Sequence, residues 1–139
     1  MTQPSDRTLP APETTGLVLF AHGSRDPLWH RPMQAVRDQL LALQPGAPCL
    51  CAYLEISSPS LPQAIAQLVE QGCTRITVLP LFLGTGRHAR EDLPLLLEHA
   101  RQQHPGVQLE AATPVGEDPR VIGLLAQIAQ QHIYKEPKL

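Results

Sequence analysis

Three residues able to ligate a divalent metal or to move a proton recur at even intervals in this sequence: His22, Glu55 and His88, each 33 positions after the last. Neutral imidazole suits first-row ions such as Co, Fe, Ni and Zn, and a carboxylate either completes the coordination shell or accepts a proton. Four arginines lie near two of these residues, Arg25 and Arg31 after His22, and Arg87 and Arg90 flanking His88. Guanidinium forks bind carboxylates in pairs of parallel hydrogen bonds, so a polyanionic ligand is expected here even though the chain as a whole is slightly acidic. Taken singly, each arginine equally suits a solvated rim, and a single histidine is more often solvated or structural than a ligand. The case rests on the common spacing.

That spacing is about one β-α-β unit, and the chain between the three residues reads as such units. Gly16 to Ala21 is a continuous apolar run suited to a strand buried on both faces. Met33, Val36, Leu40 and Leu43 then recur at helical spacing, with Pro32 in the first turn and a stop at Pro45-Gly46. A second strand is expected over Cys49 to Glu55, and a second helix along Leu61, Ala64, Ile65, Leu68 and Val69, closed by Gly72. The third strand, Arg75 to Leu81, contains Pro80, which belongs where the strand leaves the sheet because proline cannot donate to the ladder. The third helix is expected to follow Asp92, with Pro94 in its first turn, leaving His88 in the loop after Gly84-Thr85-Gly86-Arg87. A fourth unit comprises Val107 to Ala112, then Asp118 as N-cap, Pro119 at the first helical position, and Val121, Leu124, Leu125 and Ile128 facing inward. The fold class is therefore α/β with a parallel sheet.

In open parallel sheets ligands bind beyond the carboxyl ends of the strands. His22 follows the first strand, Glu55 ends the second and His88 follows the third, so one edge of the sheet collects all three. Ser24, Ser57, Ser58, Thr85 and Gly86 fall in the same segments and keep a cleft open while offering hydroxyl and N–H donors. Together with Arg25, Arg87 and Arg90 they form the candidate substrate-binding set. His30, His99, His104 and His132 lie on helices or their ends without a matching partner and are read as surface residues, with a pocket-lining role as the alternative for His30. Trp29 is read by default as a packing residue, with a stacking wall as the alternative.

The 139 residues bound the remaining possibilities. They suffice for one domain with one core, expected over 16–134 between mobile tails at 1–15 and 135–139. Eleven Lys and Arg against thirteen Asp and Glu give a net charge of −2, far from the basic footprint of a nucleic-acid binder. No apolar run approaches the roughly 18 residues of a membrane span, and the Pro-containing N-terminus lacks the apolar core of a secretory signal. Cys49, Cys51 and Cys73, an odd count, are read as reduced in a cytoplasmic protein. Cys49 and Cys51 point to one face of a strand, as buried core cysteines do, and a thiolate metal site has no second Cys pair to complete it.

The segments Leu17 to Pro27 (LVLFAHGSRDP), Ala52 to Ile65 (AYLEISSPSLPQAI) and Pro80 to Pro94 (PLFLGTGRHAREDLP) together resemble the small class II tetrapyrrole chelatases, the short sirohydrochlorin cobaltochelatase and ferrochelatase family. The resemblance extends over about Gly16 to Ile133. It implies a chelatase-like three-layer sandwich with a four-stranded parallel sheet flanked by helices, and a homodimer whose subunits imitate the two halves of longer chelatases. It also implies ATP-independent insertion of a divalent metal, Co2+, Fe2+ or Ni2+, into sirohydrochlorin, the metal being a substrate and no cofactor being permanently bound. His22 and His88 then hold the metal, and Glu55 helps accept the pyrrole protons. The sequence has neither a histidine-rich insertion nor a C-terminal Cys motif of the kinds found in some relatives, so it does not choose the metal.

Two other classes compete. A metal-binding or delivery module could use the same histidines without catalysis. A histidine phosphatase also places His-Gly after an apolar strand, but that family has an arginine just before the histidine, where this chain has Ala21. A receiver-like domain lacks its acidic pair at the end of the first strand.

Overall fold

A computed structural model describes residues 14–134. The chain forms β1 (Thr15–Ala21), α1 (Arg31–Leu43), β2 (Cys49–Tyr53), α2 (Leu61–Glu70), β3 (Arg75–Pro80), α3 (Arg87–Gln103), β4 (Gln108–Ala111) and α4 (Pro119–Ile133), with 3-10 turns at Pro27–His30 and Val115–Glu117. The expected tails fall outside the described residues except for Thr14, whose carbonyl accepts the Thr74 N–H, and Thr15, which already belongs to β1.

The sheet order is β2-β1-β3-β4 with every pairing parallel, so β1 and β3 are central and their carboxyl ends lie side by side. Register follows the apolar pattern: Val18 is level with Val78, and Phe20 with both Ala52 and Pro80. Those side chains face α2 and α3 and build the main core with Leu61, Ile65, Leu68 and Ile76, all essentially without solvent contact. Each such large apolar side chain contributes about 1.5–3 kcal/mol on burial. On the opposite face α1 covers only the β1 and β2 side, where Met33 packs with Ala21, Tyr53, Cys51 and Leu81. The Arg37 Nε–H donates to the Cys49 carbonyl at 2.7 Å and fastens α1 to β2. The result is the expected α/β sandwich.

Helix α2 follows its sequence signals closely. Ser60 and Gln63 form a reciprocal capping box. At the other end Gly72 takes φ +93°, with its N–H on the Val69 carbonyl and the Cys73 N–H on that of Leu68, the paired bonds of a Schellman stop. Pro80 is the last residue of β3, as the missing donor requires.

Two expectations are corrected. Helix α3 begins at Arg87, not after Asp92, so Arg87, His88 and Arg90 are helical and Pro94 lies inside the helix. Gly86 is the N-cap, without a side-chain cap. The proline misleads because the bond it forgoes still permits a helix whose first turns precede it. Helix α4 does start at Pro119 with Asp118 as N-cap, its carboxylate accepting from the Arg120 N–H. Yet α4 buries none of its residues: Leu124, Leu125 and Ile128 remain 57%, 42% and 45% exposed rather than facing inward. The helix is anchored through the 115–117 turn, where the Gly116 N–H donates to the Phe82 carbonyl and a Cβ on Gly116 would strike the Leu83 carbonyl.

Candidate active site

The carboxyl ends of β1, β2 and β3 deliver the site. His22 is the first residue after β1, and its carbonyl accepts the Trp29 indole N–H at 2.9 Å. Trp29 is thus not buried core: it is half-exposed and its indole fixes the backbone of His22. The imidazole lies against Phe82, with ring centroids 4.8 Å apart and planes at 34°, and Phe82 itself packs on Phe20 in the core. His22 is therefore seated on rigid structure.

Glu55 lies two residues past β2, which ends earlier than expected. Its Oε1 stands 3.4 Å from His22 Nδ1, with both side chains 43% exposed. A carboxylate only accepts, so this contact favours the proton on Nδ1 and leaves the Nε2 lone pair free. An imidazole oriented by a carboxylate through Nδ1 is a common arrangement behind a metal ligand. His88, the second residue of α3, joins the same cavity of about 320 Å³, lined by His22, Leu54, Glu55, His88 and Asp92. All three spaced residues do converge. Among the described residues, however, no three His, Cys, Asp or Glu side chains are close enough together to hold one ion.

Asp92 escaped the sequence reading. Once α3 is known to start at Arg87, Asp92 lies one turn beyond His88 on the same helix face, an i, i+4 relation visible in the sequence. The misplaced helix start concealed it. Phe82 was also missed, lying just past the expected end of the third strand.

The candidate substrate residues divide. Thr85 and Arg90 line a second, larger hollow of about 390 Å³ together with Phe82, Ala89, Leu93 and Glu117. Among the described residues Arg90 has no carboxylate partner, and its guanidinium reaches only the Thr85 carbonyl at 3.5 Å. Arg87 is paired with Glu91 at 3.1 Å on the exposed face of α3. Arg25 and Gly86 are exposed beside the site. Ser58 instead borders a shallow groove against Gln63 and Gln67 of α2. The Ser24 and Ser57 hydroxyls are engaged within the loops, Ser24 Oγ accepting from the Asp26 N–H at 3.0 Å. His30, read as a surface residue, is half-buried, stacks on Tyr53 with centroids 4.5 Å apart and meets Ser57 Oγ at 2.9 Å.

The three thiols are not among the residues lining the site cavity. Burial raises the pKa of Cys49 to about 11 and also raises those of Cys51 and Cys73, so the metal-free thiols are protonated near neutrality. Among the described residues no helix is long and apolar enough to cross a membrane.

Comparison with known proteins agrees with this architecture. The CbiX family model matches residues 16–132. The sirohydrochlorin cobaltochelatase of Sulfolobus acidocaldarius is 28% identical over 121 residues, covering 87% of this chain and 94% of that protein. The sirohydrochlorin ferrochelatase of Priestia megaterium is 35% identical over 75 residues, covering 54% of this chain and only 28% of that longer protein. Among solved structures, a cobalamin biosynthesis CbiX protein from Marinobacter aquaeolei VT8 superposes with a TM-score of 0.75 at 29% identity, covering 86% of this chain and 94% of that one. The sirohydrochlorin chelatase SirB of Bacillus subtilis subspecies spizizenii, in complex with cobalt, gives a TM-score of 0.68 at 25% identity, and 84% of this chain covers 50% of that one.

Proposed function

Because the chain belongs to the CbiX family, we propose that it is a sirohydrochlorin chelatase, a lyase-class enzyme that inserts Co2+ or Fe2+ into sirohydrochlorin without ATP, in cobalamin or siroheme biosynthesis. The observation that carries this reading is the meeting of His22, Glu55 and His88 in one cavity at the carboxyl edge of the sheet.

Insertion forms bonds from the pyrrole nitrogens to M2+ and breaks two N–H bonds, releasing two protons. The site needs weak ligands for the arriving ion and an acceptor for those protons. His22 Nε2 and His88 serve as the ligands. Glu55 holds His22 by Nδ1 and, half-exposed, takes pyrrole protons and passes them to water. Asp92 adds a second carboxylate to the same cavity. The peripheral carboxylates of sirohydrochlorin are met by Arg25, Arg87 and Arg90, of which Arg90 is best placed, and by Thr85 and Gly86 at the amino end of α3, where unsatisfied N–H groups favour negative charge. Ni2+ is also chemically acceptable to this donor set.

The functional unit is a homodimer in the cytoplasm. The support for the dimer is α4, whose apolar stripe is unpartnered in the single chain, together with the fact that the chain spans half of SirB. The support for a reducing compartment is three free thiols.

The test is anaerobic absorbance spectroscopy of the protein with sirohydrochlorin and Co2+, Fe2+ or Ni2+ against the uncatalysed background. Accelerated insertion, with one metal preferred, is the expected result. Metal binding without accelerated insertion would make the protein a metal-delivery module and remove the catalytic reading.

A further inference from the structure

The β2 loop that presents Glu55 is tied to β1 at its start, where the Leu54 N–H donates to the Ala21 carbonyl at 2.8 Å, and is strained just beyond it. Ser57 N–H closes on the Glu55 carbonyl at 2.7 Å, and between them Ile56 takes φ +70°. This is the positive-φ form of the γ-turn, which is strained for any residue and especially for a β-branched one. The Ile56 side chain is 66% exposed and supplies no anchorage. A strained turn persists only where its surroundings over-determine it.

Beyond Leu54 the side-chain restraint comes from the neighbouring loop and centres on one hydroxyl. Ser57 Oγ accepts the Ser24 N–H at 3.0 Å and donates to the Ser24 carbonyl at 2.9 Å. It also lies 2.9 Å from His30 Nε2. A serine hydroxyl has one proton, and here it goes to Ser24, so His30 Nε2 carries the hydrogen of the third bond and donates it. The His30 ring is in turn held against Tyr53, the buried last residue of β2. Gly23 completes the contact, its bare Cα abutting the Glu55 carbonyl with no room for a Cβ.

We propose that Ser57 and His30 are positioning residues that lock the β2 loop onto the β1 loop and so keep the Glu55 carboxylate within reach of His22. This rests on the reading of Glu55 as proton acceptor and partner of His22, and it gives Ser57 a different task from contact with substrate. With its three hydrogen bonds satisfied inside the protein, the hydroxyl has none left for a ligand.

The test uses the full-length protein, sirohydrochlorin and Co2+. Ser57→Ala and His30→Phe, the latter keeping a ring against Tyr53 but losing the N–H, should lower kcat about 10- to 100-fold with KM for both substrates within about twofold, as a misplaced catalytic group does. His30→Gln, which restores an N–H donor, should recover most of the rate. In a Glu55→Gln background, Ser57→Ala should cause no further loss, because residues acting as one unit are not additive. Wild-type kcat in Ser57→Ala, or the same fold-loss with and without Glu55, would overturn the proposal. If Ser57→Ala does not fold, the His30 pair decides: equal rates for His30→Phe and His30→Gln would also overturn it. Glu55→Gln at the wild-type rate would instead overturn the underlying role of Glu55, a result separable from the others.

Discussion

At the scale of single residues the site depends on closeness as much as on functional groups. Gly23 touches the Glu55 carbonyl so tightly that any side chain there must push the β2 loop away. Gly23→Ala should therefore separate Glu55 from His22, reduce metal insertion at least tenfold and cost about 1–3 kcal/mol of stability, as overpacking does. Rates beside a thermal or urea unfolding curve check both parts, and an unaffected rate would mean that the loop contact is dispensable. His22, Glu55 and His88 were legible in the sequence because the side chains that do chemistry are few in type and the interval of 33 repeats. Gly23 has no side chain whose chemistry could announce its part. Its actual work, and that of His30 on Ser57, lies in contacts between segments 27 to 33 positions apart, which no local pattern encodes.

At the scale of elements, strand and helix types followed from periodicity, and the ends of elements followed wherever a cap or stop was written in side chains. Gly72, and Asp118 with Pro119, are such cases. Helix α3 starts at Arg87 behind Gly86, an N-cap with no side chain to mark it, and there the expected start moved to Pro94 and hid the place of Asp92. The cap of α4 gives an acid-dependent prediction. Hydrogen bonds from Arg120 hold the Asp118 carboxyl well below its ordinary value of 3.8, at about 2. A depressed folded-state pKa contributes stability that is fully present above the ordinary value and is lost as pH falls through the folded one. The first turn of α4 should therefore begin to loosen below about pH 4 and lose its cap near pH 2. Backbone chemical shifts of Val121 to Leu124 followed by NMR over that range should show the change in wild type. Asp118→Asn, which caps without titrating, should lack it; the same acid transition in that variant would assign it to another group.

At the scale of the whole molecule the unmet feature is the stripe Leu124, Leu125 and Ile128 on α4, which a single chain leaves exposed. Amphipathic spacing was visible in the sequence, but it says only that a face seeks cover, not which chain supplies it. With a homodimer as the functional unit, the protein should sediment at twice the chain mass at micromolar concentration, and Leu125→Glu should shift it to monomer. A wild-type monomer at those concentrations would leave α4 to another partner. The central claim is that the carboxyl edge of the sheet is a metal-insertion site organised around His22. The most direct measurement is the anaerobic single-turnover rate of Co2+ insertion into sirohydrochlorin by wild type and His22→Ala, with folding verified by circular dichroism. The account predicts rapid insertion by wild type and a loss of about 100-fold or more in the variant; insertion at the wild-type rate by folded His22→Ala would contradict it.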